Sequence, residues 1–143
     1  MYDFEKIREM DERYHFRTYK RTPILLVEGK GSRVWDSEGN EYIDLLAGIA
    51  VNGLGHCHPR VVKAIQEQAA KLMHCSNIYY IGPQTLLAQT LIENCEMDRI
   101  FFGNSGTEAV EGAMKLARKW ASKNDRGGKI ITFEGSFHGR SLA

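Results

Sequence analysis

A chain of 143 residues is long enough to bury one ordinary core, and its 43% apolar and 26% charged residues are those of a globular protein. With 19 Lys and Arg against 18 Asp and Glu, it carries neither a basic stripe for nucleic acid nor an acidic disordered tail. The start Met-Tyr-Asp-Phe-Glu is unlike a signal peptide, the apolar runs 24–27 and 43–51 are too short to span a bilayer, and Cys57, Cys75 and Cys95 stand apart as reduced thiols, which together predict a cytoplasmic protein without a membrane or nucleic-acid partner.

Residues 3–15 place Phe4, Ile7, Met10 and Tyr14 at helical spacing and predict a short amphipathic helix. Residues 16–32 read as irregular or extended, with Pro23 and a Gly29-Lys30-Gly31 turn. Alternation in Arg33–Asp36 and Glu41–Asp44 around Ser37-Glu-Gly-Asn40 predicts a hairpin. A glycine-rich stretch, 46–58, leads to Pro59, which suits a first helical turn, and a helix is expected from Pro59 to Met73. Another begins near Pro83. Arg99–Phe102 reads as a short buried strand, Ser105–Lys123 as the strongest helix, and Lys129–Phe133 as a second strand before the loop Glu134–Arg140. Strand, apolar helix and strand in that order predict a right-handed parallel pair in an α/β sheet. Two parallel strands leave both faces uncovered, so missing sequence or a partner is expected to complete the sheet.

The turn Phe102-Gly-Asn-Ser-Gly-Thr-Glu108 joins the first of these strands to the strongest helix. Ser105 followed by Glu108 is a capping-box pattern that starts the helix at Gly106. A helix starting at the C-terminal end of a parallel strand aims its free N–H groups and positive dipole end at the ligand side of the sheet. Gly106 leaves room for an anion to reach the backbone, and Thr107 adds a hydroxyl. This chemistry suits a phosphate, although an ordinary capped helix needs the same residues, and the charge of Glu108 counts against an anion. Neither G-x-G-x-x-G nor G-x-x-x-x-G-K-[ST] is present, so the dinucleotide and P-loop readings lose support.

The loop Glu134-Gly-Ser-Phe-His-Gly-Arg140 should leave the same sheet edge and lie beside that turn. Phe137 offers a face for a planar ring, and Arg140 offers a two-pronged grip on a carboxylate. A surface loop with a solvated arginine is the plainer reading of the loop alone. Together the two loops suggest a flat, phosphorylated, ring-bearing ligand and a carboxylate substrate. His56-Cys57-His58 lacks the spacing of a metal cluster and fits the approach to a helix start. Tyr79 and Tyr80 read as core or interface aromatics, and Lys115 as a snorkelling surface lysine.

Five segments in order are similar to the class III pyridoxal-phosphate-dependent aminotransferases. They are Trp35–Asp44, Gly48–Pro59, Ser76–Tyr80 with Pro83-Gln84, Phe102–Ala109 running on to Lys115–Trp120, and Phe137-His-Gly-Arg140. Gly-Ile-Ala-Val-Asn-x-Leu-Gly-His and Ser-Asn-Ile-Tyr-Tyr most resemble the acetylornithine branch, and the ornithine branch shares much of both. The resemblance implies a fold-type-I α/β transferase, with residues 1–45 in a smaller domain and 46–143 beginning a large cofactor-binding domain with a parallel sheet. It implies pyridoxal 5'-phosphate as cofactor, held by Gly106 and Thr107 at the phosphate and by Phe137 on the ring. It implies that Arg140 binds the substrate α-carboxylate, and that Tyr19 and Tyr80 line the substrate pocket.

The implied activity is transamination of N-acetylornithine with 2-oxoglutarate in arginine biosynthesis, by a homodimer acting on amino acids and 2-oxo acids. The family's Schiff-base lysine lies beyond residue 143, so no catalytic residue is assigned, the sequence is read as incomplete or truncated, and the chain alone is expected to be inactive. The same chemistry on ornithine, 4-aminobutyrate or another ω-amine is the nearest alternative. A non-catalytic binding or assembly module is the alternative from another class.

Overall fold

Asp3 starts the first helix: its carboxylate accepts the N–H of Lys6 at 3.0 Å, and α1 (Phe4–Tyr14) follows, with Glu5 in its first turn and Arg13 in its last, matching the helix dipole. This is a computed structural model that describes residues 3–142, and the chain divides between Cys75 and Ser76 into two units. In the first unit, Asp11 faces His15 Nδ1 at 3.0 Å and Arg21 at 3.1 Å, which ties the extended segment after α1 back to the helix.

Three antiparallel strands follow in spatial order: β1 (Leu26–Lys30), β2 (Arg33–Asp36) and β3 (Glu41–Ile43). The β2–β3 hairpin lies where alternation predicts it. β1 falls in a stretch expected to be irregular or extended, and it becomes a strand by pairing Lys30 with Arg33 and Gly29 with Val34 across a tight turn. Asp36, almost fully buried, organises the hairpin. Its carboxylate accepts from Asn40 Nδ2, Asn40 N–H and Glu38 N–H, each at 2.9 Å, and from the Tyr42 hydroxyl at 2.7 Å. These donors, the Asn40 amide foremost, hold its carboxyl at a pKa of about 2.

Asp44 performs a similar task after β3. It accepts from Leu46 N–H at 2.9 Å and Ala47 N–H at 2.8 Å, and meets His56 Nε2 at 2.6 Å. The His56 contact, first among these, keeps the Asp44 carboxyl below its usual range. The backbones of Gly31 and His56 exchange hydrogen bonds of 2.9 and 2.8 Å. Gly55 makes that approach feasible, because its φ is +83° and a Cβ there would stand 2.9 Å from Gly31 Cα. Between these anchors lies α2 (Ala47–Ala50), a single turn with φ of +49°, +65°, +60° and +63° in succession. Such left-handed backbone ordinarily costs roughly 1–2 kcal/mol at each non-glycine residue, and only Gly48 signals it in the sequence.

α3 (Pro59–Ala69) starts on its proline as expected. It ends before the anticipated Met73, and just past its end the Gln68 side chain donates to the Leu72 carbonyl at 2.8 Å. The second unit holds α4 (Gly82–Ile92), with Pro83 in its first turn, and α5 (Gly106–Lys123). The two strands predicted at 99–102 and 129–133 form no ladder among the described residues, and the expected burial of the first is corrected by Phe101, which is 70% exposed. A crossover helix makes two strands parallel without making them neighbours. Strand geometry depends on partners that supply ladder bonds to both edges, and neither segment has them.

Val34 is the one buried apolar residue among the described residues. Apolar positions of the helices, such as Ile65, Leu86 and Trp120, remain exposed. No helix among the described residues is long and apolar enough to cross a membrane.

Candidate functional site

The start of α5 is fixed by Ser105, which keeps an extended backbone and accepts the Glu108 N–H on Oγ at 3.2 Å. The capping box is only half formed. The Glu108 carboxylate accepts the backbone N–H of Asn104 instead of reaching back to Ser105, and it also faces Asn104 Nδ2 at 3.4 Å. The charge that counts against an anion is therefore engaged by Asn104. Backbone bonding within the helix starts with Ala109 N–H on the Ser105 carbonyl at 3.1 Å. The N–H groups of Gly106 and Thr107 find no acceptor among the described residues. A Cβ added at Gly106 would meet nothing within 4 Å. The helix thus presents two free donors beside open space.

The 134–142 segment returns to this helix at two points. Gly139, at φ +106°, lies against the Thr107 side chain, and a Cβ there would come within 2.6 Å of Oγ1 and 2.9 Å of Cγ2. One turn along α5, the Ser141 hydroxyl donates to the Glu111 carboxylate. That hydroxyl first, then the Lys115 ammonium at 3.7 Å and the Leu142 N–H, hold the Glu111 carboxyl below its usual range. The Arg140 guanidinium carbon lies 5.9 Å from the centroid of the Phe137 ring, and that ring is 75% exposed.

Of the residues singled out from sequence, the structure brings Gly106, Thr107, Phe137 and Arg140 into one neighbourhood of the second unit. Tyr80, fully exposed just before α4, takes no part in the contacts that join the two loops. Tyr19 belongs to the first unit, where it lines a groove against α1 together with Ile7, Asp11 and Arg21. His56 is engaged by Asp44, His58 Nδ1 is buried without a partner, and no group of metal-binding side chains occurs among the described residues. Sequence reasoning passed over Glu111 and Ser141. The available signal was slight: an acid four residues after Thr107, on the same helix face, and a hydroxyl next to Arg140.

Residues 14–143 match the model of the family Aminotransferase class-III. The chain is 56% identical to the acetylornithine aminotransferase of Methanopyrus kandleri over 137 residues, which is 94% of this chain and 34% of that protein. Among solved structures it resembles the N-acetylornithine aminotransferase of Stenotrophomonas maltophilia K279a, with 47% identity, a TM-score of 0.80, and coverage of 92% of this chain and 35% of that one. It also resembles the ornithine aminotransferase of Toxoplasma gondii, whose active site has partial occupancy of PLP, with 33% identity, a TM-score of 0.86, and coverage of 98% and 34%. The chain spans about a third of the length of the curated relatives it matches. The likeness gives the chain the α/β fold of these proteins.

Proposed function

Because the chain belongs to the class III aminotransferase family, whose members use pyridoxal phosphate, we propose that it is the cofactor-phosphate-binding part of an enzyme transferring the amino group of N-acetylornithine to 2-oxoglutarate. The observation that carries the donor is the 56% identity to a curated acetylornithine enzyme, with 47% and 36% to two solved acetylornithine enzymes against 33% to a solved ornithine enzyme.

The residues present fit the cofactor. The free N–H groups of Gly106 and Thr107, beside the open space at Gly106, suit a phosphate. The exposed ring of Phe137 suits a pyridine face, and Arg140 beside it suits an α-carboxylate. When bound, pyridoxal phosphate supplies an electron sink for carbanion chemistry at the substrate α-carbon. The chain's own residues bind and orient: Gly106 and Thr107 grip, Phe137 stacks, Arg140 aligns the carboxylate, and Tyr80 lines the pocket. Residues 1–45 belong to a small domain and 46–143 open the large one.

The lysine that holds the cofactor covalently comes from further sequence. The exposed apolar faces of α3, α4 and α5 are covered by the rest of a large domain and by a second subunit. The enzyme is a cytoplasmic homodimer of arginine biosynthesis with no nucleic-acid or membrane partner.

The test is steady-state turnover of the complete enzyme with 2-oxoglutarate and, in turn, N-acetylornithine, ornithine and 4-aminobutyrate. N-acetylornithine is expected to give a kcat/KM at least about tenfold above the others, about 1.4 kcal/mol in transition-state binding. Ornithine or 4-aminobutyrate performing as well would overturn the choice of donor.

A further inference from the structure

Arg140 lies between two residues that are each fastened to α5. Gly139 rests on Thr107, and Ser141 donates to Glu111. Thr107 and Glu111 are four residues apart on one helix, hence one turn apart on the same face. From this we infer that Glu111, through Ser141, is a positioning residue for Arg140, and that α5 sets the spacing between the carboxylate grip and the phosphate grip. The inference rests on the reading of Arg140 as the α-carboxylate anchor.

The physical case has three parts. First, a backbone held on both sides of one residue leaves that residue only its own side-chain torsions, so less ordering remains when the substrate arrives. Second, the contacts differ in kind. Thr107 on Gly139 is steric and sets how near the loop comes, whereas Glu111 with Ser141 is directional and sets where along the helix it sits. Third, the Glu111 carboxylate is only 27% exposed and faces the Lys115 ammonium, and a hydroxyl donating to an ionised acceptor makes a stronger bond than one donating to a neutral group. Because the same helix begins at Gly106, its rigid 1.5 Å rise per residue carries the position of the phosphate turn to the arginine loop. An enzyme that takes two carboxylate substrates in alternation needs that spacing unchanged for both.

The test compares Ser141→Ala, Glu111→Ala, the double variant, Ser141→Thr and Arg140→Lys in the complete, cofactor-loaded enzyme. Ser141→Ala and Glu111→Ala are each expected to raise KM for both N-acetylornithine and 2-oxoglutarate roughly three- to tenfold, as loss of one hydrogen bond implies. Their kcat and pyridoxal phosphate affinity should stay within about twofold of the parent. The double variant should be no worse than the worse single, since both remove the same bond, and Ser141→Thr should restore the parental KM. Should Glu111→Ala fail to fold, Ser141→Ala decides, because it removes only an exposed hydroxyl. Raised KM in Arg140→Lys with parental KM in Ser141→Ala would overturn the positioning role and leave the anchor intact. Parental KM in Arg140→Lys would remove the anchor, and the positioning role with it.

Discussion

Gly139 lies so close to Thr107 that a Cβ on the glycine would stand 2.6 Å from the threonine hydroxyl, on a backbone with φ of +106°. Two independent demands therefore fall on one position, a conformation that side chains rarely adopt and a contact that leaves no room for one. Gly139→Ala is expected to destabilise the enzyme by about 1–3 kcal/mol. It should also weaken pyridoxal phosphate binding if Thr107 holds the phosphate as proposed, because relieving the clash pushes Thr107 away from that turn. Thermal melting and a cofactor titration check this, and parental values in both would show that the loop does not rest on the helix.

Arg140→Lys keeps the charge and loses the planar fork. A charge-assisted hydrogen bond contributes about 1.5–3 kcal/mol, so kcat/KM should fall roughly ten- to a hundredfold. The fall should appear with the amino donor and with 2-oxoglutarate alike, because on the proposed reading each presents an α-carboxylate to Arg140. Kinetics of the two half-reactions measured separately would expose a loss confined to one substrate, which a shared anchor does not produce.

The ease of reading these features from sequence follows the range of the forces behind them. The Ser105 cap and the start of α5 at Gly106 were legible because a cap is settled within four residues. So was the β2–β3 hairpin, where alternation and the turn residues agree. The contact of Ser141 with Glu111 joins residues 30 apart and has no local signature. The left-handed turn at Ala47–Ala50 was illegible for another reason: its support comes from Asp44 and its neighbours rather than from its own residue types. Segments 99–102 and 129–133 have the composition of strands, but a strand is a property of its partners as much as of its sequence.

Asp36 makes the first unit sensitive to acid. Its carboxyl titrates at about 2 in the folded protein against an ordinary 3.8, and the Asn40 amide is the largest cause. A depressed folded pKa means that the unfolded chain takes up the proton first as pH falls. The stabilisation is therefore complete above the ordinary value and is lost between about pH 4 and pH 2. Asp36→Asn, which removes the charge while keeping the shape, should be less stable than the parent at neutral pH. The gap should close over that acid window. Melting temperatures of the two proteins at a series of pH values test it, and a gap that persists below pH 2 would assign the loss to packing instead of charge.

The proposed phosphate turn gives the sharpest test, because the structure separates two effects that usually arrive together. A Cβ at Gly106 would meet nothing within 4 Å, so the protein itself has room for a larger residue there. Helix propensity at a first-turn position separates glycine from valine by only a few tenths of a kcal/mol. Gly106→Val should consequently melt at nearly the parental temperature without cofactor. A phosphate approaching the N–H groups of Gly106 and Thr107 would have to occupy the space the valine side chain now fills. Affinity for pyridoxal phosphate should then fall by about tenfold or more, each factor of ten being about 1.4 kcal/mol. The measurement is a cofactor titration of the complete Gly106→Val enzyme, read by its visible absorption, beside a melting curve of the cofactor-free form. Parental affinity with a parental melting curve would mean that the phosphate is held elsewhere. Weak affinity with a lowered melting curve would mean that the turn has a structural demand at Gly106 which its open surroundings do not reveal.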